Sequence, residues 1–296
     1  MKFTIDEQNQ GQNIKSFLKK QNMSNALIKK LKKISNGIQV NGSWQNVLYV
    51  LKSGDVLEIN DKDKTEDINE FLEPSCIPIE IIFENDDITV VNKPANMPTH
   101  ESINNRGNTL ANALAYRYKE KPYVFRATNR LDKDTSGVVV TANNKYYSAI
   151  LSKKIQLGKI EKEYIAVVKG KLLGSGKIEA SIDRIEQSII KRAVTKTGEY
   201  ALTEYEVLAF CDEMSVVLVK PKTGRTHQIR VHMAHIGHPI IGDAMYGEES
   251  SYISRQALHC LKMNIEDIGN FYAPLAEDIK GLIRRFFNEE IFQKFI

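Results

Sequence analysis

Six short runs rich in β-branched and aromatic residues follow one another between residues 77 and 221, and this feature constrains the fold more than any other. The runs are IPIEIIF, ITVVNKP, GVVVTA, YIAVVKG, ALTEYEVLAF and MSVVLVKP. Residues of these types favour the pleated, half-buried surface of a β-strand. Because helical segments are interspersed without strict alternation, we predict an α+β domain built around a mixed, mostly antiparallel sheet.

Three helices are predicted in this part of the chain from apolar spacing and boundary residues. One follows Asn143 or Asn144. A second takes Thr226 as its N-cap and ends at Gly237, a residue type that is common at helix ends. The tail, residues 277–296, is predicted to form one closing helix.

A compact N-terminal module is predicted for residues 1–60. Apolar residues at helical spacing place two short helices within residues 14–34, with Ser24 as the N-cap between them. The Asn41-Gly42 dipeptide that follows favours a tight β-hairpin. A small sheet should therefore cover the two helices.

The boundary between the two parts is predicted from an acidic stretch. Residues 61–73 contain six acids, two lysines and few apolar residues, a composition typical of an exposed linker. A length of 296 residues, 42% of them hydrophobic, suits one larger and one smaller domain. We expect a small domain at residues 1–60, a linker at 61–76 and a larger domain at 77–296.

The predicted N-terminal helices carry a dense positive charge. Residues 15–33 contain seven lysines and no acid. Such a surface is expected where a protein faces nucleic-acid phosphates, but it is also common on solvated helix faces, so composition leaves both interpretations open. The seven are Lys15, Lys19, Lys20, Lys29, Lys30, Lys32 and Lys33.

Cysteine usage and hydropathy indicate the cellular compartment in which the protein is expected. The three cysteines are widely spaced and form no CxxC pair, which argues against a disulfide framework and against a zinc knuckle. The N-terminus lacks the pattern of a secretion signal, and no apolar run approaches the roughly 18 residues of a membrane span. We expect a cytoplasmic, monomeric protein without a membrane partner.

The stretch NRLDKDTSG, residues 129–137, places two carboxylates in a polar turn just before an apolar run. Asp132 in such a loop can face a cleft while the following strand anchors its backbone. The alternative is a turn in which Asp and Thr side chains cap local amides and Gly137 supplies an unusual dihedral angle. Taken alone, the turn favours this second interpretation.

A second polar cluster, TGRTHQIRVHMAHIGHPIIGD, begins at residue 223. On the predicted helix His227 and Arg230 are three residues apart and share a face, while Arg225 lies at the helix start. The four histidines suggest a metal site. Neighbouring arginines would repel a cation, however, and no Cys or Glu completes a familiar ligand set, so we expect no metal.

The run EKEYIAVVKG places Tyr164 in a strand. A tyrosine in a sheet is usually part of the core. It could also offer a ring on which a nucleobase stacks, but this requires the two polar clusters as neighbours.

Taken together and in this order, these segments resemble the RluA-type family of RNA pseudouridine synthases over roughly residues 77–275. VVNKPANMPTH, which contains Lys93, is similar to the family's Lys-Pro segment, NRLDKDTSG to its catalytic loop and EKEYIAVVKG to its tyrosine strand. ALTEYEVL, TGRTHQIRVHMAHIGHPIIGD and RQALHC resemble its later motifs. Residues 12–60 are similar, by pattern more than by motif, to the small RNA-binding domain named after ribosomal small-subunit protein four.

The resemblance implies a catalytic role for three residues. Asp132 corresponds to the family's essential aspartate, which acts as a nucleophile on the sugar or the base, or as the base that removes a ribose proton; the sequence does not choose among these. Arg230 corresponds to the arginine that pairs with it. Tyr164 corresponds to the tyrosine that stacks on the uracil, with a possible part in removing the proton from carbon five.

The resemblance also implies how the RNA is held. A uridine in folded RNA must leave its stack to reach such a site, and Arg130 matches the family arginine that fills the vacated space, a phosphate contact being the alternative. Leu131 and Ile229 are expected to exclude water from the freed uracil, and Lys93 to support the pocket. The other candidates for RNA contact are Asn129, Arg225, His227, Lys29, Lys30, Lys32 and Lys33.

The chain leaves the family's pattern at two positions. Asn129 stands where the family usually has histidine, which removes a cation near the RNA and bears on target choice or affinity more than on the reaction. Asn96 stands where glycine usually follows Lys-Pro-Ala. Because asparagine tolerates the left-handed conformation better than most residues, we expect this turn to persist.

Two other functions fit part of the sequence. A glycosidase could use Asp132 and Asp134 as paired carboxylates, but this explains neither the lysines nor Arg230. A non-catalytic RNA-binding protein is disfavoured by intact Asp132, Tyr164 and Arg230. We expect a pseudouridine synthase acting on structured RNA, with large-subunit ribosomal RNA as substrate and transfer RNA as the alternative. It should need no cofactor, because the isomerisation involves no redox change.

Overall fold

The computed structural model covers most of the chain. It describes residues 1–21, 23, 25–60, 72–102, 105–186, 188 and 190–295. The predicted N-cap Ser24 and residues 61–71 of the predicted linker lie outside the described residues. Within the described ranges, no helix has the length and apolar character needed to cross a membrane.

The N-terminal sixty residues form a four-stranded antiparallel sheet and two short helices. In chain order the elements are β1 (Lys2–Thr4), α1 (Ile14–Lys20), α2 (Asn25–Leu31), β2 (Ile38–Val40), β3 (Ser43–Trp44) and β4 (Val56–Ile59). The strand order is β1-β4-β2-β3. Asn41 and Gly42 have left-handed φ angles of 51° and 79°, as the predicted tight hairpin between β2 and β3 requires. Ile14, Leu18 and Leu57 are fully buried.

The remaining elements form a nine-stranded sheet, a two-stranded sheet and the helices around them. In chain order they are β5 (Glu80–Glu84), β6 (Ile88–Lys93), α3 (Leu110–Arg117), β7 (Ser136–Ala142), α4 (Lys145–Gln156), β8 (Ile160–Lys169), β9 (Ser175–Glu179), β10 (Ile182–Arg184), β11 (Arg192–Val194), β12 (Leu202–Phe210), β13 (Met214–Pro221), α5 (Gln228–His235), β14 (Leu258–Ile265), β15 (Gly269–Tyr272) and α6 (Glu277–Phe286). A 3₁₀ helix, Glu289–Phe295, follows α6.

The nine-stranded sheet is mixed and mostly antiparallel, which confirms the predicted fold class. Its order is β5-β6-β7-β14-β8-β13-β12-β9, with β15 paired to β14. Only β7 and β14 run parallel among these described strands. Each of the six predicted runs contributes a strand, and β7 is buried along its whole length, with Val138, Val139 and Val140 fully buried.

Gly137 allows the two parallel strands to approach each other at the centre of the sheet. Its φ is +113°, and a Cβ here would lie 2.1 Å from the carbonyl oxygen of Cys260 on β14. Glycine avoids both the clash and the unfavourable dihedral angle. The close pairing fixes the start of β7, and with it the loop of residues 129–135 that precedes this strand, called the Asp132 loop below.

Helix α4 begins as predicted, whereas α5 does not. The Asn144 side chain accepts a hydrogen bond from the Tyr147 N–H and caps α4. The prediction that α5 starts after Thr226 is wrong, because His227 adopts a left-handed φ of 57° that a right-handed helix cannot include. The helix therefore begins at Gln228.

The tail forms two helical segments, so the prediction of one closing helix is also wrong. Phe287, after α6, has an extended backbone with φ −136° and ψ 154°. The break lets Ile291 and Phe295 of the 3₁₀ helix join the buried cluster that contains Ile283 of α6. Burial of these side chains compensates for the helical hydrogen bonds lost at the break.

Helix α4 joins the N-terminal module to the larger sheet. Tyr146 belongs to the buried cluster that contains Phe17 and Leu27 of the module, and its ring centroid lies 6.2 Å from that of Phe3. Leu151, on the same helix, is buried in the core of the larger sheet. The lysine-rich helices are therefore carried on a module that packs directly against α4.

Candidate active site

The Asp132 loop is braced against the strand that follows it. The Asn129 side chain donates a hydrogen bond to the Val138 carbonyl at 3.0 Å and accepts one from the Val140 N–H at 3.0 Å. Both polar ends of the amide thus bind the backbone of β7. Asn129, a candidate for RNA contact from the sequence, therefore fixes the geometry of the loop in this structure.

Lys93 supports the same loop, and its side chain is fully buried. Its amine donates hydrogen bonds to the carbonyl oxygens of Pro94 at 2.8 Å, Met97 at 2.7 Å and Lys133 at 3.1 Å. Three carbonyl groups match the three N–H donors of an ammonium group. Lys93 thereby ties the turn after β6 to the residue that follows Asp132.

The buried position of Lys93 predicts a pH-dependent stability. Burial lowers the pKa of Lys93 to about 7, against an opposing effect of Asp134, whereas the unfolded chain keeps the ordinary value of about 10.4. Between these values the unfolded chain binds more protons than the folded one. The contribution of this group to the free energy of unfolding therefore rises with pH, by at most about 1.4 kcal/mol per pH unit.

Urea denaturation of the wild type and of Lys93→Met between about pH 7 and about pH 10 measures this contribution. Methionine fills a similar volume and does not titrate. We expect the free energy of unfolding of the wild type, minus that of the variant, to increase across this range. Two parallel profiles would show that burial leaves the pKa of Lys93 at its ordinary value.

A buried arginine supports the other side of the Asp132 loop. Arg255 donates hydrogen bonds to the Asp134 carbonyl at 2.9 Å and to the Ser136 hydroxyl at 3.2 Å. Asp278 of α6 pairs with the same guanidinium at 2.6 and 2.8 Å. Asp134 thus contributes its backbone to the turn, which agrees with its interpretation as a turn residue.

The Asp132 carboxylate extends from this braced loop toward α5. Its Oδ2 accepts a hydrogen bond from Nη1 of Arg230 at 3.1 Å, and its Oδ1 lies 3.8 Å from Nε2 of His227. The side chain keeps 28% of its surface exposed, so a substrate can reach it. The fold thus brings the two polar clusters of the sequence together.

Arg230 is held from its other side by a buried carboxylate. Its Nε and Nη2 donate to the two oxygens of Asp243 at 2.7 and 2.8 Å. Asp243 has no exposed side-chain surface and also accepts from the N–H of Met245 at 3.1 Å. Burial lowers the pKa of Arg230, but Asp243 and Asp132 outweigh this effect and raise it above the ordinary value. Arg230 is therefore a fixed positive charge beside Asp132.

Tyr164, on β8, lies on the buried side of this site. It belongs to the same apolar cluster as Leu131 and Ile229. Burial raises the pKa of Tyr164 well above its ordinary value, and Cys260 and Asp132 raise it further. The phenol therefore stays protonated at neutral pH, which favours use of its ring over use of its oxygen as a base.

This arrangement of residues has counterparts among known proteins. The family described as RNA pseudouridylate synthase matches residues 87–235, which include Asp132, Tyr164 and Arg230. The Bacillus subtilis protein named as the uncharacterized RNA pseudouridine synthase YjbO is 34% identical over 281 residues, which are 92% of this chain and 98% of that one. The chain belongs to the RNA pseudouridylate synthase family.

Two further similarities agree with this membership. The ribosomal large subunit pseudouridine synthase D of Haemophilus ducreyi is 35% identical over 269 residues, 84% of this chain and 81% of that one. The solved structure of human RNA pseudouridylate synthase domain containing 1 is similar with a TM-score of 0.58 and 30% identity, over 69% of this chain and 86% of that one. This protein is thus an RNA pseudouridine synthase, an isomerase, as its motifs predict.

The other residues of this pseudouridine synthase that were predicted to contact RNA lie on the surface. Arg130 is exposed on the Asp132 loop. Arg225, just before α5, forms an ion pair with Glu199 and donates a hydrogen bond to the Tyr200 carbonyl at 3.0 Å. The lysines of α2 and the turn after it are exposed as well: Lys29, Lys30, Lys32 and Lys33.

The histidines of the second cluster have separate surroundings. His232 bonds with the Thr203 hydroxyl and the Ala180 carbonyl, each at 2.9 Å. His238 bonds with the Lys169 carbonyl at 2.8 Å. In the part of the chain that the structure describes, no three His, Cys, Asp or Glu side chains are grouped so as to hold a metal ion.

Asp243 belongs to this site although motif reasoning did not single it out. A signal for it was present, because Asp243 is the only acid in the segment TGRTHQIRVHMAHIGHPIIGD. An arginine that is buried needs a carboxylate partner. The partner of Arg230 on its buried side could therefore have been sought within the same segment.

Proposed function

We propose that this pseudouridine synthase isomerises specific uridines of large-subunit ribosomal RNA. The observation that most supports this reaction is the partly exposed Asp132 carboxylate, which the buried Arg230 holds by a hydrogen bond. The choice of RNA is supported by the relative named ribosomal large subunit pseudouridine synthase D, whose similarity extends over 84% of this chain.

The chemistry requires a carboxylate at this position. Pseudouridine forms when the bond between the ribose anomeric carbon and uracil nitrogen one breaks, the base turns over, and carbon five bonds to the ribose with loss of its proton. Asp132 begins this sequence, as a nucleophile or as the base that removes a ribose proton. Arg230, oriented by Asp243, holds the carboxylate in the position from which it acts.

The detached uracil must stay in the site until it rejoins the ribose. Tyr164 provides a ring on which the base stacks, and Leu131 and Ile229 provide apolar walls that keep water from it. A uridine reaches this position by leaving its stack in the RNA. The exposed Arg130, two residues from Asp132, fills the space that the uridine leaves.

The N-terminal residues 1–60 act as a small RNA-binding domain, joined by a linker at 61–76 to the catalytic domain at 77–296. Their exposed lysines supply affinity through phosphate contacts. Replacing Lys29, Lys30, Lys32 and Lys33 by alanine is expected to lower RNA affinity by at least about tenfold at ~0.1 M salt. The slope of log affinity against log salt should decrease by about three.

Fluorescence anisotropy with labelled ribosomal RNA fragments, over a series of salt concentrations, measures both quantities. A matched control replaces four exposed lysines of the larger part of the chain: Lys119, Lys159, Lys262 and Lys294. We expect the control to change the slope by less than about one. An unchanged slope in the N-terminal variant would show that these lysines form a solvated face only.

The remaining properties follow from the reaction. Isomerisation changes no oxidation state, so the enzyme works without a metal or organic cofactor. It acts in the cytoplasm, where ribosomal RNA is modified, and as a monomer.

Pseudouridine mapping of RNA from cells that lack this protein tests the choice of substrate. We expect one or more pseudouridines to disappear from large-subunit ribosomal RNA and to return when the wild-type gene is restored. Loss of a pseudouridine from transfer RNA alone would overturn the proposed substrate while leaving the reaction intact.

A further inference from the structure

Tyr246 lies at the junction between the active site and the β10–β11 pair. Its hydroxyl accepts a hydrogen bond from the Arg192 N–H of β11 at 2.9 Å and lies 2.8 Å from Nδ1 of His227. Its ring centroid lies 5.0 Å from the guanidinium carbon of Arg230. One side chain therefore contacts both residues that face the Asp132 carboxylate.

The hydrogen bonds of Tyr246 favour one position for the proton of neutral His227. A phenol has a single proton, and burial raises the pKa of Tyr246, so this proton is retained at neutral pH. Since the Arg192 N–H already donates to the phenol oxygen, the phenol proton is free to be donated to Nδ1 of His227. In that arrangement Nδ1 is the acceptor, and the ring hydrogen of neutral His227 is on Nε2.

The nitrogen that carries this hydrogen points toward Asp132. Nε2 of His227 lies 3.8 Å from Oδ1 of Asp132, slightly beyond hydrogen-bonding distance. Hydrogen bonds of catalytic groups often tighten as the complex approaches the transition state. His227 is thus poised to donate a hydrogen bond to one oxygen of the carboxylate while Arg230 donates to the other.

The ring of Tyr246 restricts Arg230 at the same time. A guanidinium within about 6 Å of an aromatic centroid is attracted to the ring face. Tyr246 also packs with Val194 of β11 against the small buried cluster of Ile182, Ala201 and Val231. The ring is therefore fixed by packing, and it limits the positions that the guanidinium can adopt.

We propose that Tyr246 is a positioning residue that directs His227 Nε2–H and the Arg230 guanidinium at the two oxygens of Asp132. The expected effect on the rate of pseudouridine formation rests on the proposed function, which this role of Tyr246 deepens. It assigns His227, a candidate for RNA contact from the sequence, to the Asp132 carboxylate instead.

Nitrogen NMR of the histidine rings tests the geometry without any RNA. In protein labelled with ¹⁵N at histidine, the signal of His227 is assigned as the one that disappears in His227→Gln. We expect Nδ1 to be unprotonated and Nε2 protonated in the wild type, and both tautomers to coexist in Tyr246→Phe. A proton on Nδ1 in the wild type, or an unchanged spectrum in the variant, would overturn the proposal whatever the enzyme modifies.

Steady-state kinetics tests the consequence for the reaction. Tyr246→Phe keeps the ring and removes the hydroxyl, so we expect kcat for pseudouridine formation to fall about tenfold, with KM changed less than about twofold. Tyr252→Phe is the matched control, because the Tyr252 ring packs on Phe286 and is 44% exposed. An equal rate in the two variants would contradict the proposal.

The pH profile and a double variant separate positioning from a purely structural effect. Asp132, Arg230, Asp243 and Arg192 all influence His227, and its burial lowers the pKa of the ring. Without the donor at Nδ1, His227 becomes protonated at higher pH. The positive ring weakens the Asp132 carboxylate as a nucleophile or base, so the acid limb of the Tyr246→Phe profile should move to higher pH. In a His227→Gln background the second substitution should have no further effect, and additive losses would contradict the proposal.

Discussion

Replacing Asp132 by asparagine is expected to abolish pseudouridine formation while RNA binding persists. Asparagine keeps the shape of the side chain and still offers an oxygen to Arg230, so the braced loop should remain folded. It lacks the negative charge with which a nucleophile or a base begins the reaction. We expect the rate of pseudouridine formation to fall by at least about 10³-fold, with the RNA dissociation constant changed less than about threefold.

Asp134→Asn provides the matched control for this experiment. Asp134 lies two residues away on the same loop, where its backbone carbonyl accepts a hydrogen bond from Arg255. The substitution removes an identical charge and should lower the rate by less than about tenfold. Equal losses in the two variants would indicate that the charge of the loop, and not the Asp132 carboxylate itself, drives the reaction.

Replacing Asp243 by asparagine is expected to destabilise the protein and to slow the reaction together. The side chains of Arg230 and Asp243 are 7% and 0% exposed, and two short hydrogen bonds join them. Removing one partner of a buried pair costs up to about 3–5 kcal/mol, and Arg230 then keeps only the partly exposed Asp132 as a carboxylate partner. The rate should also fall, because Arg230 loses the contact that aims it at Asp132.

Arg225→Gln is the control for the stability measurement. It breaks the ion pair between Arg225 and Glu199. Their side chains are 39% and 70% exposed, so the free energy of unfolding should change by less than about 1 kcal/mol. Urea denaturation of both variants at neutral pH gives the comparison. A loss in Asp243→Asn no greater than that in Arg225→Gln would show that the buried carboxylate is dispensable.

The motifs of the sequence point to the proposed catalytic residues more readily than to the residues that support the Asp132 loop. Asp132, Tyr164 and Arg230 are recognisable because each residue type suits the chemistry and stands in a characteristic segment. The roles of Lys93 and Asn129 in the loop depend on backbone carbonyls and amides that only the fold brings within reach. Contacts of this kind leave no pattern in the spacing of side chains.

The same distinction applies to the fold. The succession of strand-forming runs predicts the sheet, because local residue preference and burial agree there. It does not predict the left-handed His227 before α5, since that conformation is set by the contacts of the ring with Tyr246 and the approach to Asp132. Likewise, nothing local shows that Phe287 breaks the closing helix, because the break is stabilised by burial of Phe295 against distant residues.

The central claim is that Asp132 initiates the exchange of the glycosidic bond from nitrogen one to carbon five, and release of tritium from carbon five tests it most directly. The RNA used in the assay is large-subunit ribosomal RNA, transcribed without modification from uridine tritiated at that carbon. We expect the wild type to release one tritium for each pseudouridine formed, and Asp132→Asn to release none. Tritium release by Asp132→Asn at the wild-type rate, or free uracil in place of pseudouridine with the wild type, would contradict the claim.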